Sequence, residues 1–342
     1  MKVPIAIDLF CGAGGLTEGL KQAGFKVIGA VEKESSVAKA YKLNHKDVHL
    51  WNQDIQRLSG QEVLNILNIK KGELDLLAGC PPCQGFSSMR TKNTSSCVFD
   101  ARNDLVFEML RLAKELMPKA ILIENVPGLA KDPRIERVKK ELKALGYHID
   151  DESLQVHDIS KYGVPQRRKR MILMAGLGRK IPFAKPTETK KTVRQTIMQL
   201  HPPGTGNDPL HDYPVKRTKK VMEMISLIPK DGGSRKDLPK KYWLPCHLKY
   251  PNGFRDVYGR MKWDEVAPTI TGGCINPSKG RFLHPEENRA ITLREAALLQ
   301  TFPKDYKFPT DIARDKVALM IGNALPPEYI RQHAEQIKSV IL

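Results

Sequence analysis

Cys83 has the surroundings that say most about chemistry. It stands in Leu76-Leu-Ala-Gly-Cys-Pro-Pro-Cys83-Gln-Gly-Phe-Ser87, where an apolar run meets two prolines. Each proline fixes its own φ and pushes its predecessor toward extended geometry, so a rigid turn is expected at the end of a strand. A thiolate displayed there can act as a nucleophile. Other fates compete. A buried structural thiol is the usual role of a lone cysteine, and Cys80-Pro-Pro-Cys83 has the spacing of a redox pair or of half a zinc site. The zinc reading needs a second ligand pair, and none stands at suitable spacing. The redox reading needs a thioredoxin-like domain, whereas this pattern is far longer and differently ordered.

Three further constellations carry candidate chemistry. In Ala120-Ile-Leu-Ile-Glu124-Asn125-Val126 a carboxyl group directly follows an apolar run, a position suited to proton donation, or else to a plain strand-terminal cap. Gln166-Arg-Arg168-Lys-Arg170 precedes another apolar run. Strand alternation would send Arg168 and Arg170 to one face, toward an anionic or base ligand, though a charge run is more often a solvated face. Asp8-Leu-Phe-Cys-Gly-Ala-Gly-Gly-Leu16 follows a first apolar run and opens a helix, where glycines permit close approach and free N–H groups await an acceptor. Glu32 and Asp54 end the next two runs. An acidic residue about twenty positions after such a loop meets ribose hydroxyls in dinucleotide-binding folds, so an adenosine site is expected, and a nicotinamide-binding protein would show something similar.

Elements must position these groups. Strands are predicted at 5–10, 27–32, 48–51, 74–79, 120–124, 153–156 and 171–175, separated by amphipathic segments. In one of these, Leu105, Met109, Leu112 and Leu116 recur at helical spacing. Strands alternating with helices imply a parallel sheet covered on both faces, with ligands at the carboxyl ends of its strands. From 185 to 285 Pro and Gly cluster and the alternation stops. That stretch holds 19 Lys and Arg against 9 Asp and Glu, more than half of the +18 net charge, so it reads as a basic recognition surface for a polyanion. Order returns at Thr292-Leu-Arg-Glu295, a capping-box helix start, and a last helix is expected after Pro326-Pro327. The six cysteines are irregularly spaced, which suggests no disulfide framework. No apolar run approaches the ~20 residues of a membrane span, and the N-terminus lacks a signal-peptide pattern, so the cytosol is the default expectation.

With these residues in place, the chain resembles the DNA (cytosine-5)-methyltransferase family of the bacterial modification-enzyme type. The resemblance runs in order through Asp8–Leu16, Glu32, Asp54, Pro82-Cys83-Gln84, Glu124-Asn125-Val126 and Gln166–Arg170. It continues through Arg294-Glu-Ala-Ala-Leu-Leu-Gln300-Thr-Phe-Pro303 and Gly322-Asn323-Ala-Leu-Pro-Pro327. It implies an α/β, Rossmann-like S-adenosylmethionine-dependent methyltransferase fold with a mostly parallel seven-stranded sheet and a smaller, irregular target-recognition domain. The implied division is a catalytic and cofactor domain at 1–184, a recognition domain at 185–285, and a segment at 286–342 that returns to complete the first.

The implied roles are specific. Cys83 attacks C6 of cytosine, Glu124 engages N3 and the exocyclic amine, and Arg168 and Arg170 hold the base. Phe10, Gly12, Ala13, Gly14 and Gly15 hold the cofactor, with Glu32 on its ribose, Asp54 and Ile55 on its adenine, and Leu105 and Asn323 completing the pocket. Gln84, Ser87, Thr269, Thr271, Gly272 and Gly273 are the candidate DNA contacts, and no metal is expected. The Ser- and Thr-rich stretch after Ser87 is expected to be a loop that closes over a flipped base. Partners implied are double-stranded DNA and a cognate restriction endonuclease acting separately, for a monomer at the prokaryotic nucleoid. Lys33 departs from members that place an aromatic there. The nearest rival is the tRNA-methylating branch, whose Cys-Phe-Thr tripeptide is absent here, since Cys246 precedes His247-Leu248 and Cys274 precedes Ile275-Asn276.

Overall fold

The computed structural model describes residues 2–82, 104–213, 215, 217–251, 253 and 256–342. Cys83, Gln84, Ser87 and the Ser- and Thr-rich stretch lie outside the described residues. The chain divides into two compact units. The first comprises Met1–Tyr162, Lys169–Pro186 and Leu325–Leu342, and the second Gly163–Arg168 and Thr187–Ala324.

Seven strands build the first unit: β1 (Ile5–Leu9), β2 (Lys26–Val31), β3 (His49–Trp51), β4 (Leu76–Gly79), β5 (Ala120–Asn125), β6 (Leu154–Asp158) and β7 (Lys169–Gly176). They form one sheet in the order β3-β2-β1-β4-β5-β7-β6. The central strands β1, β4 and β5 are buried almost throughout, as a sheet covered on both faces requires. β1 lies between β2 and β4, both parallel to it. The strand order therefore reverses between β1 and β4, and the crevice beyond their carboxyl ends is where such sheets bind ligands.

The sheet is not parallel throughout. β7 runs antiparallel to both β5 and β6. Only ten residues, with a single 3-10 turn at Ile159–Tyr162, separate β6 from β7, too few for the crossover that a parallel neighbour needs.

Helices α1 (Gly15–Gln22), α2 (Ser35–Asn44), α3 (Gly60–Leu67), α4 (Val106–Leu116) and α5 (Pro133–Ala144) connect the strands. α4 turns Met109, Leu112 and Leu116 into the core with Ile7, Leu9, Leu77, Ile121 and Ile123. Each such side chain contributes roughly 1.5–3 kcal/mol by leaving water. Gly19 of α1 lies so close to the last helix that a Cβ there would stand 2.4 Å from the Pro327 carbonyl oxygen. The final residues are thus packed onto the helix that follows the glycine loop.

The second unit is loop-rich. Its helices include α6 (Lys219–Leu227), α7 (Leu293–Leu299) and α8 (Arg314–Asn323); α9 (Pro327–Ile341) belongs to the first unit. The segment expected to return as a whole is divided: 286–324 stays with the second unit, and only 325–342 joins the first. Pro326 and Pro327 mark that break, since neither can continue α8. The capping box forms as predicted, with the Thr292 hydroxyl accepting from the Glu295 amide and the Glu295 carboxylate accepting from the Thr292 amide. A second core, of Met224, Ile225, Ile228, Leu238, Trp243, Val257, Tyr258 and Leu283, organises the basic region. The buried Arg260 donates to the carbonyls of Ile225, Ile228, His284 and Glu287 and to Asn288 Oδ1, tying α6 to the rest of that core.

Candidate active site

The glycine loop leaves β1 in a backbone conformation that few side chains tolerate. Phe10 has φ of 62°, Gly12 of 57° and Gly14 of 96°. For Phe10 this costs about 1–2 kcal/mol, and such cost persists where function fixes the backbone. The Cys11 amide donates to the Val31 carbonyl at 2.9 Å, holding the loop against the end of β2. Glu32 then receives the Gly12 amide at 3.1 Å and the Glu34 amide at 2.8 Å, one on each oxygen. Burial raises its pKa. Each carboxylate oxygen keeps a lone-pair site for a further donor, the arrangement a ribose diol would use.

Asp54 caps the 3-10 turn Ile55–Arg57 through the Gln56 amide and pairs with Lys33 at 2.7 Å; the Lys33 partner holds its carboxyl below the usual range. Lys33 therefore reaches Asp54 from the position where an aromatic was the alternative. The Ile55 side chain is buried in the core, and Leu105 packs half-buried against that core at the start of α4.

Asp8 is a feature that the sequence motif contained without assigning. It is fully buried, accepts from the Thr17 hydroxyl at 2.7 Å, and leaves Oδ1 without a partner. The Thr17 hydroxyl also meets the Tyr41 hydroxyl at 2.9 Å. Burial pushes the Asp8 carboxyl up to about 7. Glycines at positive φ, a buried acid beneath them, and carboxylates ending β2 and β3 fit a ligand with an adenosine half and a cationic half. S-adenosylmethionine is such a ligand.

Candidate catalytic positions follow β4 in sequence and lie near the end of β5. Gly79 ends β4 with its would-be Cβ 2.7 Å from the Leu9 carbonyl oxygen, and the Cys80 amide donates to that oxygen at 3.3 Å. Asn125 Nδ2 donates to the Pro81 carbonyl at 2.9 Å, and its Oδ1 accepts from the Val126 amide. β5 thereby fastens the proline turn that leads into Cys83. The buried Glu124 pairs with the half-buried Arg170 at 2.8 Å, joining the end of β5 to the start of β7. Burial, then the Glu124 charge, pushes the Cys80 thiol well above its ordinary pKa, so Cys80 stays a thiol at neutral pH.

The alternation expected for Arg168 and Arg170 does not operate. β7 begins at Lys169, so Arg168 lies outside the strand. Its guanidinium donates to the Ile270 and Gly322 carbonyls within the second unit, whereas Arg170 pairs with Glu124 in the first. In the second unit Thr269 Oγ1 donates to the Arg167 carbonyl, Thr271, Gly272 and Gly273 follow half-buried, and Asn323 ends α8 exposed. Among the described residues, no three His, Cys, Asp or Glu side chains gather as a metal site, and no helix is long and apolar enough to cross a membrane.

Known proteins resemble this chain in sequence and in fold. The family model for C-5 cytosine-specific DNA methylase matches residues 5–339. The chain is 37% identical over 349 residues to the Type II methylase M.HgiDII of Herpetosiphon aurantiacus, covering 98% of this chain and 95% of that one. It is 32% identical over 340 residues to the Type II methyltransferase M1.HphI of Haemophilus parahaemolyticus, covering 97% and 86%. Among solved structures, an E. coli protein described as a prophage-encoded DNA modification methyltransferase superposes with a TM-score of 0.75 at 22% identity, over 98% of this chain and 99% of that one. The S. pombe Dnmt2 methyltransferase reaches 0.63 at 18% identity, over 99% of each. At those identities the structural likeness concerns the fold. The chain belongs to the C-5 cytosine-specific DNA methylase family. It is a cytosine-C5 DNA methyltransferase, and these two relatives carry Type II names.

Proposed function

We propose that the protein methylates one cytosine within a specific short duplex sequence, with Cys83 as the covalent nucleophile and S-adenosylmethionine as the donor. The observation that carries this reading is the ion pair of the buried Glu124 with Arg170, together with the Asn125 amide that fastens Pro81, two residues before Cys83 in sequence.

The substrate dictates the order of events. C5 of neutral cytosine is a poor nucleophile, so a group must first add to C6. The Cys83 thiolate forms the S–C6 bond as Glu124 gives a proton to N3, which leaves an enamine with electron density on C5. When bound, S-adenosylmethionine supplies an electrophilic methyl group. Transfer of the C5 proton to water, with return of the N3 proton to Glu124, then restores the ring and expels the Cys83 thiolate. Arg170 holds Glu124 in place throughout. The ring edge is unreachable inside a duplex, so the base must leave the stack, at a cost of roughly a few kcal/mol.

On this reading Phe10, Gly12, Ala13, Gly14, Gly15, Glu32, Asp54, Ile55, Leu105 and Asn323 hold the cofactor. Gln84, Ser87, Thr269, Thr271, Gly272 and Gly273 meet DNA, and the basic stretch 185–285 supplies phosphate contacts. On the same reading the enzyme is a cytoplasmic, nucleoid-associated monomer, and the Type II names of the relatives support a role in protecting host DNA from a separately acting restriction endonuclease. The test is transfer of a labelled methyl group to duplex DNA and to tRNA, followed by mapping of 5-methylcytosine in DNA from expressing cells. Transfer to DNA at one repeated short sequence is expected, and activity on tRNA alone would sink the proposal.

A further inference from the structure

We infer that Arg168 is a positioning residue that locks the turn Ile270–Gly273 to the carboxyl end of α8, so that the DNA-facing turn and Gly322-Asn323 move as one body. This deepens the reading above, because it takes the turn to meet DNA and Asn323 to meet the cofactor.

The lock is built from buried amides and a buried guanidinium. Residues 165–167 run beside Ala267, with the Ala267 amide donating to the Pro165 carbonyl at 2.9 Å and the Arg167 amide to the Ala267 carbonyl at 2.8 Å. Gln166, fully buried, accepts from the Ile270 amide at 3.0 Å and donates to the Leu299 carbonyl at 3.2 Å and to Gln300 Oε1. Gln300, also fully buried, donates onward to the Ile321 carbonyl and, at 3.2 Å, to the Ala324 carbonyl. Arg168 Nη1 closes the circuit, reaching the Ile270 carbonyl at 3.0 Å and the Gly322 carbonyl at 2.9 Å.

Those carbonyls at the end of α8 are the ones a helix leaves without intrahelical partners, and its dipole there favours a cation. Gly322 permits the approach: a Cβ on it would stand 2.2 Å from the Thr271 carbonyl carbon and 2.3 Å from the Gly272 amide. A Cβ on Gly272 would in turn stand 2.6 Å from Leu319 Cδ1. Backbone therefore packs directly on backbone, with no side chain between to absorb a shift. Arg168 acts through these two carbonyls.

A shared rigid body has a thermodynamic consequence. A ligand that orders Asn323 also orders the turn, so part of the ordering cost of binding DNA is met once, and the two ligands bind cooperatively. Cutting the lock uncouples them without touching the reacting atoms.

Three variants of the full-length protein test this: Arg168→Ala, Arg168→Lys and Gly322→Ala, which breaks the packing from the opposite side. The readouts are hydrogen exchange in the ligand-free protein, duplex affinity with and without S-adenosylhomocysteine, and the single-turnover methylation rate at saturation. In wild type, S-adenosylhomocysteine should tighten duplex binding by about 5-fold or more. In Arg168→Ala, amides of 267–273 and 319–324 should exchange faster together, by about 10-fold or more, and the coupling should fall toward one. Arg168→Lys should be intermediate in exchange and in coupling, and Gly322→Ala should repeat the loss of coupling.

Unchanged exchange in both segments, no coupling in wild type, or coupling retained in a folded Gly322→Ala overturns the inference. So does retained coupling in Arg168→Ala with a rate lost by about 100-fold, which would return Arg168 to the base. Should Arg168→Ala not fold, the other two variants decide by the same criteria. The proposed function fails separately, if wild type transfers no methyl group to any duplex.

Discussion

Replacing Asp8 by Asn should stabilise the free protein at pH 8 and do little at pH 4. The carboxyl is fully buried, one oxygen has no partner, and burial raises its pKa from 3.8 to about 7. An amide of the same shape keeps an acceptor toward the Thr17 hydroxyl and removes the charge. The sign follows from proton binding. A group with a raised folded-state pKa contributes stability that is fully present below the unfolded value and is lost as pH rises through the folded value. The folded protein therefore binds the extra proton between about pH 4 and 7, and ionised Asp8 opposes folding above that window. A shift of about 3 units is worth roughly 4 kcal/mol at pH 8, about 2 kcal/mol at pH 5.5 and under about 1 kcal/mol at pH 4. Urea melts of wild type and Asp8→Asn at these three values measure the difference directly. A gain that is independent of pH, or a variant that is less stable at pH 8, refutes the reasoning. On the proposed reading, in which the glycine loop after Asp8 holds S-adenosylmethionine, the added stability should come with weaker binding of that cofactor, the usual exchange at a strained functional site.

Other outcomes follow from single contacts. Glu124→Gln should lower the single-turnover methylation rate by about 10²–10⁴-fold with duplex affinity little changed, and Arg170→Ala should act in the same direction; a rate near wild type in either would remove the pair from the chemistry. Arg260→Met strips five hydrogen bonds from the core of the second unit and should cost about 3–5 kcal/mol in urea unfolding, whereas a loss under about 1 kcal/mol contradicts its bracing role. His157 and His333 are buried beside Tyr329, and burial lowers both to about 4. Their neutral forms favour the fold, so that contribution is present above about pH 6.5 and is lost as pH falls toward 4. For His333 the loss between pH 6.5 and 5 is on the order of 2 kcal/mol, and an NMR titration that places both rings near 6.5 contradicts it.

Much of the first unit was legible because its signals are local. An apolar run of β-branched and aliphatic residues is a strand wherever it is buried, and the glycine loop, the proline pair and the strand-end acids each lie within a few residues of their own strand. The Thr292 capping box is written in four residues and forms as written. What was not legible depends on partners far apart in sequence. The antiparallel sense of β7 follows from a connection too short to cross over, a matter of topology. Arg168 and Arg170 look equivalent in sequence, yet β7 starts between them, and one guanidinium finds carbonyls 102 and 154 residues away while the other finds Glu124. Gln166 and Gln300 carried no chemical signal of their own, since a buried amide is recognisable only through the backbone groups it satisfies. The division of 286–342 was hidden for a related reason. α7 is read from its capping box and α9 from Pro326-Pro327, whereas α8 between them carries no start signal, and only packing shows which unit each serves.

The central claim is that Cys83 adds covalently to the target cytosine, and one measurement addresses it most directly. Duplexes carrying 5-fluorocytosine at the methylated position block loss of the C5 substituent and should trap the adduct in the presence of S-adenosylmethionine. Peptide mapping of the trapped complex should place the bond on Cys83, and Cys83→Ala should form none while still binding the duplex. An undiminished adduct in Cys83→Ala, or a bond mapped to Cys80, would contradict the account.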